Sequence, residues 1–323
     1  SAASDVYKRQ AIKAGDRSSM RTKTSCYRLI PLLLSAVVVS SCIRDDIQPC
    51  PPLQVMIDIQ DKNYGNIDFV EQQTGLDHRI DETLSFRSYI QKLFYVLYDL
   101  ETGETVMVRH LHDVTGDAAM ATVYLPEDLP FGRYGLMVWG NINSEEGILY
   151  DGRLNTYALH MGGIEGYDVY MAAEELLYDE CHYEYVVKLM RLKGKLIIQA
   201  EGFPDEIGWS QKVVSDVMGE VDHELRYSGS EDVATQRTWG KTSTYASHTY
   251  IAPSASERGS TVKAQLYDTP DMERSAIELQ PVTTTFERNE ITVLRYVYDA
   301  ETGTTDVFIL MDDGWNEIIN LEN

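Results

Sequence analysis

Short segments in which apolar and polar residues alternate recur along the sequence. Leu53–Ile59 alternates in this way, and so do Val262–Tyr267 and Val307–Met311. Successive side chains of a β-strand point to opposite faces, so a period of two predicts a strand with one buried face. The pattern restricts these segments to sheets, because a helix buries residues that are three or four positions apart.

Other segments are apolar on both faces. Leu93–Tyr98, Leu136–Trp139 and Leu196–Ile198 have this composition, which suits central strands covered on both sides or short buried segments of undecided type. Helical patterns are scarce; we predict a short helix within Gly208–Val221 and a loop with one helical turn within Asp61–Asp81. Many short strands between turn signals predict an all-β protein of β-sandwiches rather than a parallel α/β sheet.

One hexapeptide is nearly repeated in the chain. Tyr98–Gly103 reads YDLETG and Tyr298–Gly303 reads YDAETG, and each follows an apolar segment. The final glycine can adopt the positive φ that a tight hairpin requires. We therefore expect two equivalent hairpins, one in each of two sandwiches, with calcium binding by the acidic side chains as the alternative.

The length of the chain predicts two domains after an N-terminal targeting region. We assign residues 51–183 to an N-terminal β-sandwich and residues 184–323 to a C-terminal β-sandwich, with Val187–Ala200 opening the second. Gly194 within this stretch is expected to mark a bulge or a close approach of two backbones.

The N-terminal region has the organisation of a bacterial secretion signal. Residues 1–19 show no hydrophobic period and are expected to be a non-native extension. Residues 20–41 are predicted to be a signal peptide, because basic residues precede an apolar segment, Leu29–Val39, that is too short to span a bilayer. The basic residues are Arg21, Lys23 and Arg28.

The tetrapeptide Val39–Cys42 resembles the bacterial lipobox. The resemblance implies cleavage between Ser41 and Cys42 and acylation of the Cys42 thiol with fatty acids such as palmitate, so that residues 42–50 form a lipidated tether. Two or more acyl chains are enough for stable membrane attachment. An ordinary signal peptide with an incidental cysteine, or an N-terminal membrane helix, are the alternatives.

Two further features concern the residues after Cys42. Asp45 and Asp46 resemble the acidic export signal of some surface-exposed lipoproteins, and a solvated tether with arbitrary charges is the alternative. Besides the acylated Cys42, the mature chain keeps Cys50 and Cys181. In an oxidising compartment they can form a disulfide that fixes the tether to the first domain, or stay as isolated thiols.

Acidic residues dominate the mature chain. Removing residues 1–41 removes seven basic and two acidic residues, which leaves 21 Lys and Arg against 49 Asp and Glu, a net charge of −28. Binding to nucleic acid or to anionic lipid headgroups requires basic patches that neutralise phosphate. We therefore expect no nucleic-acid partner, and an acidic body that only its lipid holds to the membrane.

The sequence contains no catalytic motif that rises above chance. It has no G-x-S-x-G, glycine-rich phosphate loop, H-E-x-x-H or C-x-x-C. We predict no enzymatic activity, no cofactor and no small-molecule substrate. His110 and His112 would share one side of a strand and are the best metal candidates, but without a third ligand we assign no metal and favour exposed histidines beside a hairpin.

Five further segments follow the lipobox in a recognisable order: Asp46–Pro51, Leu93–Gly103, Phe131–Asn141, Val187–Lys195 and Gly314–Trp315. Taken in this order, they resemble the fimbrillin-A-associated anchor proteins of type V fimbriae. The resemblance implies two tandem transthyretin-like β-sandwich domains, attachment to the outer membrane through Cys42, and a base subunit that limits the length of the fibre. It also implies fimbrial subunits as partners, joined by β-strand complementation. Only the lipidated cysteine can be transferred residue by residue.

A surface glycan-binding lipoprotein of a polysaccharide-uptake system is the alternative function. Exposed aromatic side chains would favour it, because they can stack on sugars. Trp139 lies in an apolar segment and is expected in the core, whereas Trp209, Trp239 and Trp315 lie beside glycines and are left open between the core and such a surface.

Overall fold

The computed structural model describes residues 51–150, 153–240 and 244–318. The predicted all-β class is confirmed, since these described residues form one short α-helix and one 3₁₀ turn among many strands. The first elements are β1 (Gln54–Ile59), α1 (Ile67–Thr74), the 3₁₀ turn (Phe86–Ser88), β2 (Lys92–Asp99), β3 (Thr105–Asp113), β4 (Ala121–Val123), β5 (Gly132–Gly140), β6 (Leu149–Tyr150), β7 (Arg153–Leu154), β8 (Tyr157–Ala158), β9 (Tyr170–Tyr178) and β10 (Glu184–Arg191). They are followed by β11 (Gly194–Glu201), β12 (Trp209–Val217), β13 (Glu220–Val221), β14 (Tyr227–Ser228), β15 (Glu231–Thr238), β16 (Thr244–Ile251), β17 (Ser260–Tyr267), β18 (Ile277–Glu278), β19 (Val282–Thr284), β20 (Ile291–Asp299), β21 (Thr304–Met311) and β22 (Gly314–Glu317).

The first sandwich is built from a seven-stranded sheet with the order β3-β2-β5-β9-β10-β1-β4. Its strands are antiparallel except for the parallel pair β1 and β10. The pairing of β9 with β10 is limited to their ends, so the sheet divides there and its two parts pack against each other. The core between them contains Val55, Ile57, Leu97, Leu136 and Leu189.

The second sandwich has two principal sheets. One has the order β16-β11-β20-β21-β22 and the other the order β15-β12-β17-β18, with β19 also paired to β17. The core between these sheets is continuous with one face of the seven-stranded sheet, and Ile142, Tyr157 and Val169 from the connection between β5 and β9 also lie in it. Trp139 is fully buried in this core, as predicted. The other members include Val96, Leu196, Val214, Val262 and Tyr296.

Helix α1 covers the outer face of the five-stranded sheet. Its buried Ile67 and Val70 lie in one cluster with Ile197 and Val293 of β11 and β20. The side chain of Asn66 donates to the carbonyl of Ile291 and accepts from its amide, at 2.8 and 2.9 Å. The helical turn predicted within residues 61–81 is confirmed, and it fastens a segment of the first half of the chain to the second half.

The helix predicted within Gly208–Val221 is wrong, because Trp209–Val217 forms strand β12. The pairing shifts register between Val214 and Val217, and both side chains are fully buried. A bulge adds one residue to a strand, so two residues three positions apart can face the same core. In the sequence, two buried valines three positions apart resemble the i, i+3 spacing of a helix.

The predicted boundary between the sandwiches needs adjustment. Glu184–Arg191 forms β10 of the first sheet, so the chain passes into the second sandwich later, at residues 192–193. At Gly194 the expected close approach is present: a Cβ at this position would lie 2.4 Å from the Glu287 carbonyl oxygen and 2.7 Å from that of Glu290.

The near-repeated hexapeptides form two hairpin turns of the same local structure, as predicted. Tyr98–Gly103 joins β2 to β3 and Tyr298–Gly303 joins β20 to β21. In both turns the glycine amide donates to the carbonyl of the aspartate four positions earlier, at 2.8 Å. The φ angles of Gly103 and Gly303 are 72° and 71°.

Candidate functional site

The predicted lipidation and export residues lie outside the described part of the chain. Cys181 is exposed and forms no disulfide with another described residue; its predicted partner, Cys50, lies outside the described residues, and the disulfide stays a prediction. In the described residues, no helix is both long and apolar enough to cross a membrane. The residues outside are Ser41, Cys42, Asp45, Asp46 and Cys50.

The two candidate metal ligands lie on β3 but have different neighbours. The His110 ring contacts Glu145 at 3.0 Å, whereas the His112 ring contacts the carbonyl oxygen of His110 and the edge of the Tyr95 ring. Within the described ranges, no cluster of three or more His, Cys, Asp or Glu side chains could hold a metal ion.

The tryptophans left open between core and surface are all partly buried. Trp239 stacks on Tyr245, with ring centroids 4.4 Å apart. Trp315 packs against the cluster under α1 and faces the Arg295 guanidinium at 5.7 Å. Trp209 begins β12 and is paired on both sides. These contacts are those of side chains that cover the margins of the core.

Strand β3 has one edge free of any partner strand among the described residues. It pairs with β2 on one side, ends the seven-stranded sheet on the other, and extends over Thr105–Asp113. None of its residues is buried, although Met107, Val108 and Leu111 contact the two cores that the sheet separates. Its free edge therefore leaves both cores incompletely covered.

The pairing of β3 with β2 is interrupted by two bulges, of which one lies at Val106. Val106 has no partner between the pairs Leu97–Met107 and Tyr98–Thr105, and its side chain is 40% exposed. Bulges and edge charges twist and protect an edge against unselective pairing. The edge of β3 can therefore pair with an added strand, but the bulge at Val106 limits which strands fit against it.

A small cavity of about 220 Å³ lies between the end of β3 and β4, the strand at the opposite end of the same sheet. Leu93, His112 and Ala121 are among the residues that line it. Tyr124, which follows β4, donates its amide to the Tyr95 hydroxyl at 3.0 Å. The two terminal strands of the sheet thus border a common groove.

The long edges of the second sandwich have covers. On β16, the Glu165 carboxylate accepts from the Tyr250 amide at 3.0 Å, and the His160 ring accepts from the Ala252 amide at 3.0 Å. On β15, Ile164 forms a bridge with Ala234. Of the described strands at the two ends of a sheet, β3 is thus the long one whose edge has no such cover. Within the seven-stranded sheet, β9 and β10 also lack a partner strand on the side where they face each other, beyond their two paired positions.

A buried ionic cluster joins the two sandwiches. The Arg191 Nε donates to both carboxylate oxygens of Asp168 at 3.0 and 3.1 Å. The guanidinium lies over the ring of Tyr64, 4.0 Å from its centroid, and 5.0 Å from that of Tyr170. Burial raises the pKa of Asp168, and the Arg191 charge offsets part of that effect.

Two titratable side chains beside this cluster are buried as neutral or weakly basic groups. Burial lowers the pKa of His160 to about 3, so its ring is neutral, with Nδ1 donating towards the carbonyls of Ile164 and Glu165. Burial also lowers the pKa of Lys193 to about 7, and its Nζ donates to the Glu165 carbonyl at 2.8 Å. Together they fix the loop that crosses between the sandwiches.

Sequence reasoning did not find Asp168, Arg191 or the cleft around them. The trace in the sequence is Arg191 among the apolar and basic residues of Val187–Lys195, together with the Trp-Gly-Asn segment at the end of β5. Asn141 adopts φ 60°, and its side chain donates to the carbonyls of Tyr89 and Asp168 at 2.8 and 3.3 Å. Asn141 of the Trp-Gly-Asn segment therefore holds the backbone of Tyr89 and Asp168 in place.

Neither a protein-family model nor a curated protein matches the sequence. Two similar solved structures are candidate adhesins. The one from Bacteroides thetaiotaomicron has a TM-score of 0.53 and 12% identity, covering 85% of this chain and 100% of its own. The one from Bacteroides ovatus has a TM-score of 0.54 and 14% identity, covering 87% and 98%.

The fimbrial anchor protein Mfa2 from Porphyromonas gingivalis is also among the structural neighbours, with a TM-score of 0.46, 13% identity and coverage of 80% and 97%. The two candidate adhesins show the fold of the chain, which is the all-β sandwich architecture expected from the sequence.

Proposed function

We propose that the protein is a lipid-anchored subunit of a fimbrium that receives a strand of the next subunit at the free edge of β3. The observation that carries the proposal is the edge of β3 over Val106–Asp113, which has no partner strand in the described part of the chain, at the end of the seven-stranded sheet. An added strand satisfies the unpaired amides and carbonyls of an edge, and its alternate side chains fill the adjacent groove.

The energetics favour this edge for strand addition. Each new backbone hydrogen bond contributes about 0.5–1.5 kcal/mol. A strand lying against β3 would also bury the exposed parts of Val106, Met107 and Leu111, at about 25 cal/mol per Å² of apolar surface. The cavity between β3 and β4 would take a side chain at one end of that strand.

The membrane attachment in this proposal is the acylated thiol of Cys42, exposed by cleavage after Ser41. Several acyl chains hold a protein to a membrane far longer than one chain does. Asp45 and Asp46 would direct the lipoprotein to the outer surface of the outer membrane. A subunit held by lipid cannot be displaced outward, so it fixes the fibre at its base and limits its growth.

The structural neighbours support a role at the cell surface, because they are candidate adhesins and fimbrial proteins rather than enzymes. The absence of catalytic motifs agrees with a structural protein. We therefore propose adhesion and assembly, not catalysis, as the work of the two sandwiches.

The proposal is tested in the parent bacterium with Val106→Asp and a matched control, Val186→Asp. Val106 lies on the free edge of β3 and is 40% exposed, whereas Val186 lies on β10 of the same sheet, is paired with Met56 of β1, and is 56% exposed. With Val106→Asp, fimbriae should detach into the medium, because the charge would lie against the incoming strand. Val186→Asp should leave them cell-bound.

The lipid is tested separately with Cys42→Ala. This variant should leave the membrane fraction and release fimbriae with the protein still at their base. Membrane retention of Cys42→Ala would contradict the lipid anchor. Cell-bound fimbriae of normal length with Val106→Asp would contradict strand addition at β3, provided that thermal unfolding shows both valine variants to be folded.

A further inference from the structure

A cavity of about 600 Å³ opens between the two sandwiches, away from the edge of β3. Tyr167 lines it from the segment that precedes β9, Tyr170 from the start of β9, and Tyr250 from β16. Tyr167 is 58% exposed, so the cavity communicates with solvent. Its volume is within the range of about 300–1,000 Å³ of small-molecule sites.

The wall of the cleft is held rigidly. Asp168 is fixed by Arg191 and by the Tyr170 hydroxyl, which donates to it at 3.2 Å. The Asn141 side-chain amide donates to the carbonyls of Tyr89 and Asp168, and its Oδ1 accepts from the backbone amide of Gln91 at 2.8 Å. A wall ordered before binding loses little entropy when a ligand arrives.

Several polar groups in the cleft lack partners in the described part of the chain. The side-chain amides of Gln91 and Asn143 and the hydroxyls of Tyr167 and Tyr250 line it without a hydrogen bond of their own. Such groups can donate to and accept from a ligand at once. The cleft therefore offers aromatic rings and free polar groups together.

These features select a class of ligand. An apolar ligand would leave the free amides and hydroxyls unpaired at a cost of about 1–3 kcal/mol each where they become buried. A strongly anionic ligand would meet the Asp168 carboxylate, while the Arg191 charge is already engaged by that carboxylate. Sugars present apolar C–H faces to aromatic rings and hydroxyls to amides, without a net charge.

We propose that this cleft binds a short neutral oligosaccharide, with Tyr167 and Tyr250 against its ring faces and with Gln91, Asn143 and Asp168 as partners of its hydroxyls. This binding does not depend on the fimbrial role, since β3 and β4 take no part in the contacts. On a fibre base, it would hold a glycan close to the cell surface.

The test uses the purified mature protein in detergent and an array of neutral oligosaccharides that includes cellotetraose, xylotetraose, mannotriose, chitotriose and N-acetyllactosamine. At least one should bind with a Kd between about 1 μM and 1 mM in calorimetry. Tyr167→Ala and Asn143→Ala should each weaken that binding about tenfold or more. Tyr124→Ala is the control, because Tyr124 is 69% exposed and lies in the other groove.

Three outcomes would overturn the proposal. The first is no binding of any neutral oligosaccharide up to about 5 mM, which exceeds the weakest affinity expected. The second is binding that Tyr167→Ala and Asn143→Ala leave unchanged. The third is binding confined to acidic sugars and abolished by Lys92→Met, since Lys92 lines the same cleft and would then identify an anion site. Each would leave the fimbrial proposal intact.

Discussion

The two hairpins built on nearly the same hexapeptide differ in what surrounds them. In the first, β2 is antiparallel to its inner neighbour β5, and the outer strand β3 has no second partner strand among the residues that the structure describes. In the second, β20 is parallel to its inner neighbour β11, and the outer strand β21 is covered by β22. The turn itself is the same.

The outer strands also differ at one equivalent position. In β3, Val106 is the extra residue of a bulge, whereas in β21 the equivalent Asp306 pairs regularly with Val297. A hexapeptide with an αL glycine specifies a turn but not the neighbours of the strands that it joins. The comparison teaches that the open edge belongs to the first hairpin only, and that an aspartate at this position is compatible with a strand.

The largest expected difference in stability concerns a glycine that packs against the tyrosine at the start of each turn: Gly202 against Tyr298, and Gly135 against Tyr98. In the second hairpin, a Cβ on Gly202 would lie 2.7 Å from the Tyr298 carbonyl oxygen, and φ is 74°. Gly202→Ala should therefore destabilise the protein by about 3 kcal/mol, since the backbone must move and a strained φ is imposed.

In the first hairpin the contact is with a movable ring. A Cβ on Gly135 would lie 2.0 Å from the Tyr98 ring, which can rotate away. Gly135→Ala should cost about 1–2 kcal/mol. Urea unfolding measures the loss of unfolding free energy in each variant. A loss for Gly135→Ala equal to or larger than that for Gly202→Ala would contradict the difference between a backbone contact in the second hairpin and a side-chain contact in the first.

A smaller and equal effect is expected at the two turn glycines. Gly103→Ala and Gly303→Ala each place a Cβ at φ near 70°, with no atom within 4 Å of the first and only the Tyr298 hydroxyl at 4.0 Å from the second. Each should lower the free energy of unfolding by about 1–2 kcal/mol, because the strain is that of the backbone alone. Values that differ by more than about 1 kcal/mol would break the equivalence of the turns.

The smallest effect concerns the turn aspartates. The backbone amide of Thr102, with that of Glu101, lowers the pKa of Asp99; the backbone amide of Glu301, with the Thr302 hydroxyl, lowers the pKa of Asp299. A carboxylate whose pKa is lower in the folded state stabilises the protein above the unfolded pKa of about 3.9, and this contribution is lost as the pH falls through the folded value.

Carboxyl titration followed by NMR should therefore show both aspartates ionising below their ordinary pKa. Asp99→Asn and Asp299→Asn should each reduce the loss of stability between about pH 4 and pH 2. An ordinary pKa at one aspartate but not at the other would show that the two turns differ in solution, although their hydrogen bonds and glycine φ angles are the same.

Much of the fold could be read from the sequence because it depends on local rules. The alternation in Leu53–Ile59 predicted β1, and the hexapeptides predicted both turns. The bulge in β12 could not be foreseen, because its burial spacing imitates a helix. Which edge stays open depends on pairings between strands far apart in the chain, and β3 and β21 look equally exposed in sequence.

The cleft was missed for a related reason. Asp168 and Arg191 are far apart in sequence from Tyr64 and Tyr250, and only the packing of the two sandwiches brings them together. No local sequence pattern identifies Asp168 and Arg191, because their environment is formed by residues from distant parts of the chain. The sequence resemblance located the strand that carries Arg191 but not its partners.

Hydrogen–deuterium exchange of the mature protein, alone and bound to its fimbria, tests the central claim most directly. The account predicts that amides of Thr105–Asp113 exchange more rapidly than those of Thr304–Met311 in the free protein, and that only the former gain protection in the assembled fibre. Unchanged exchange along β3 on assembly, with new protection at another edge, would contradict it.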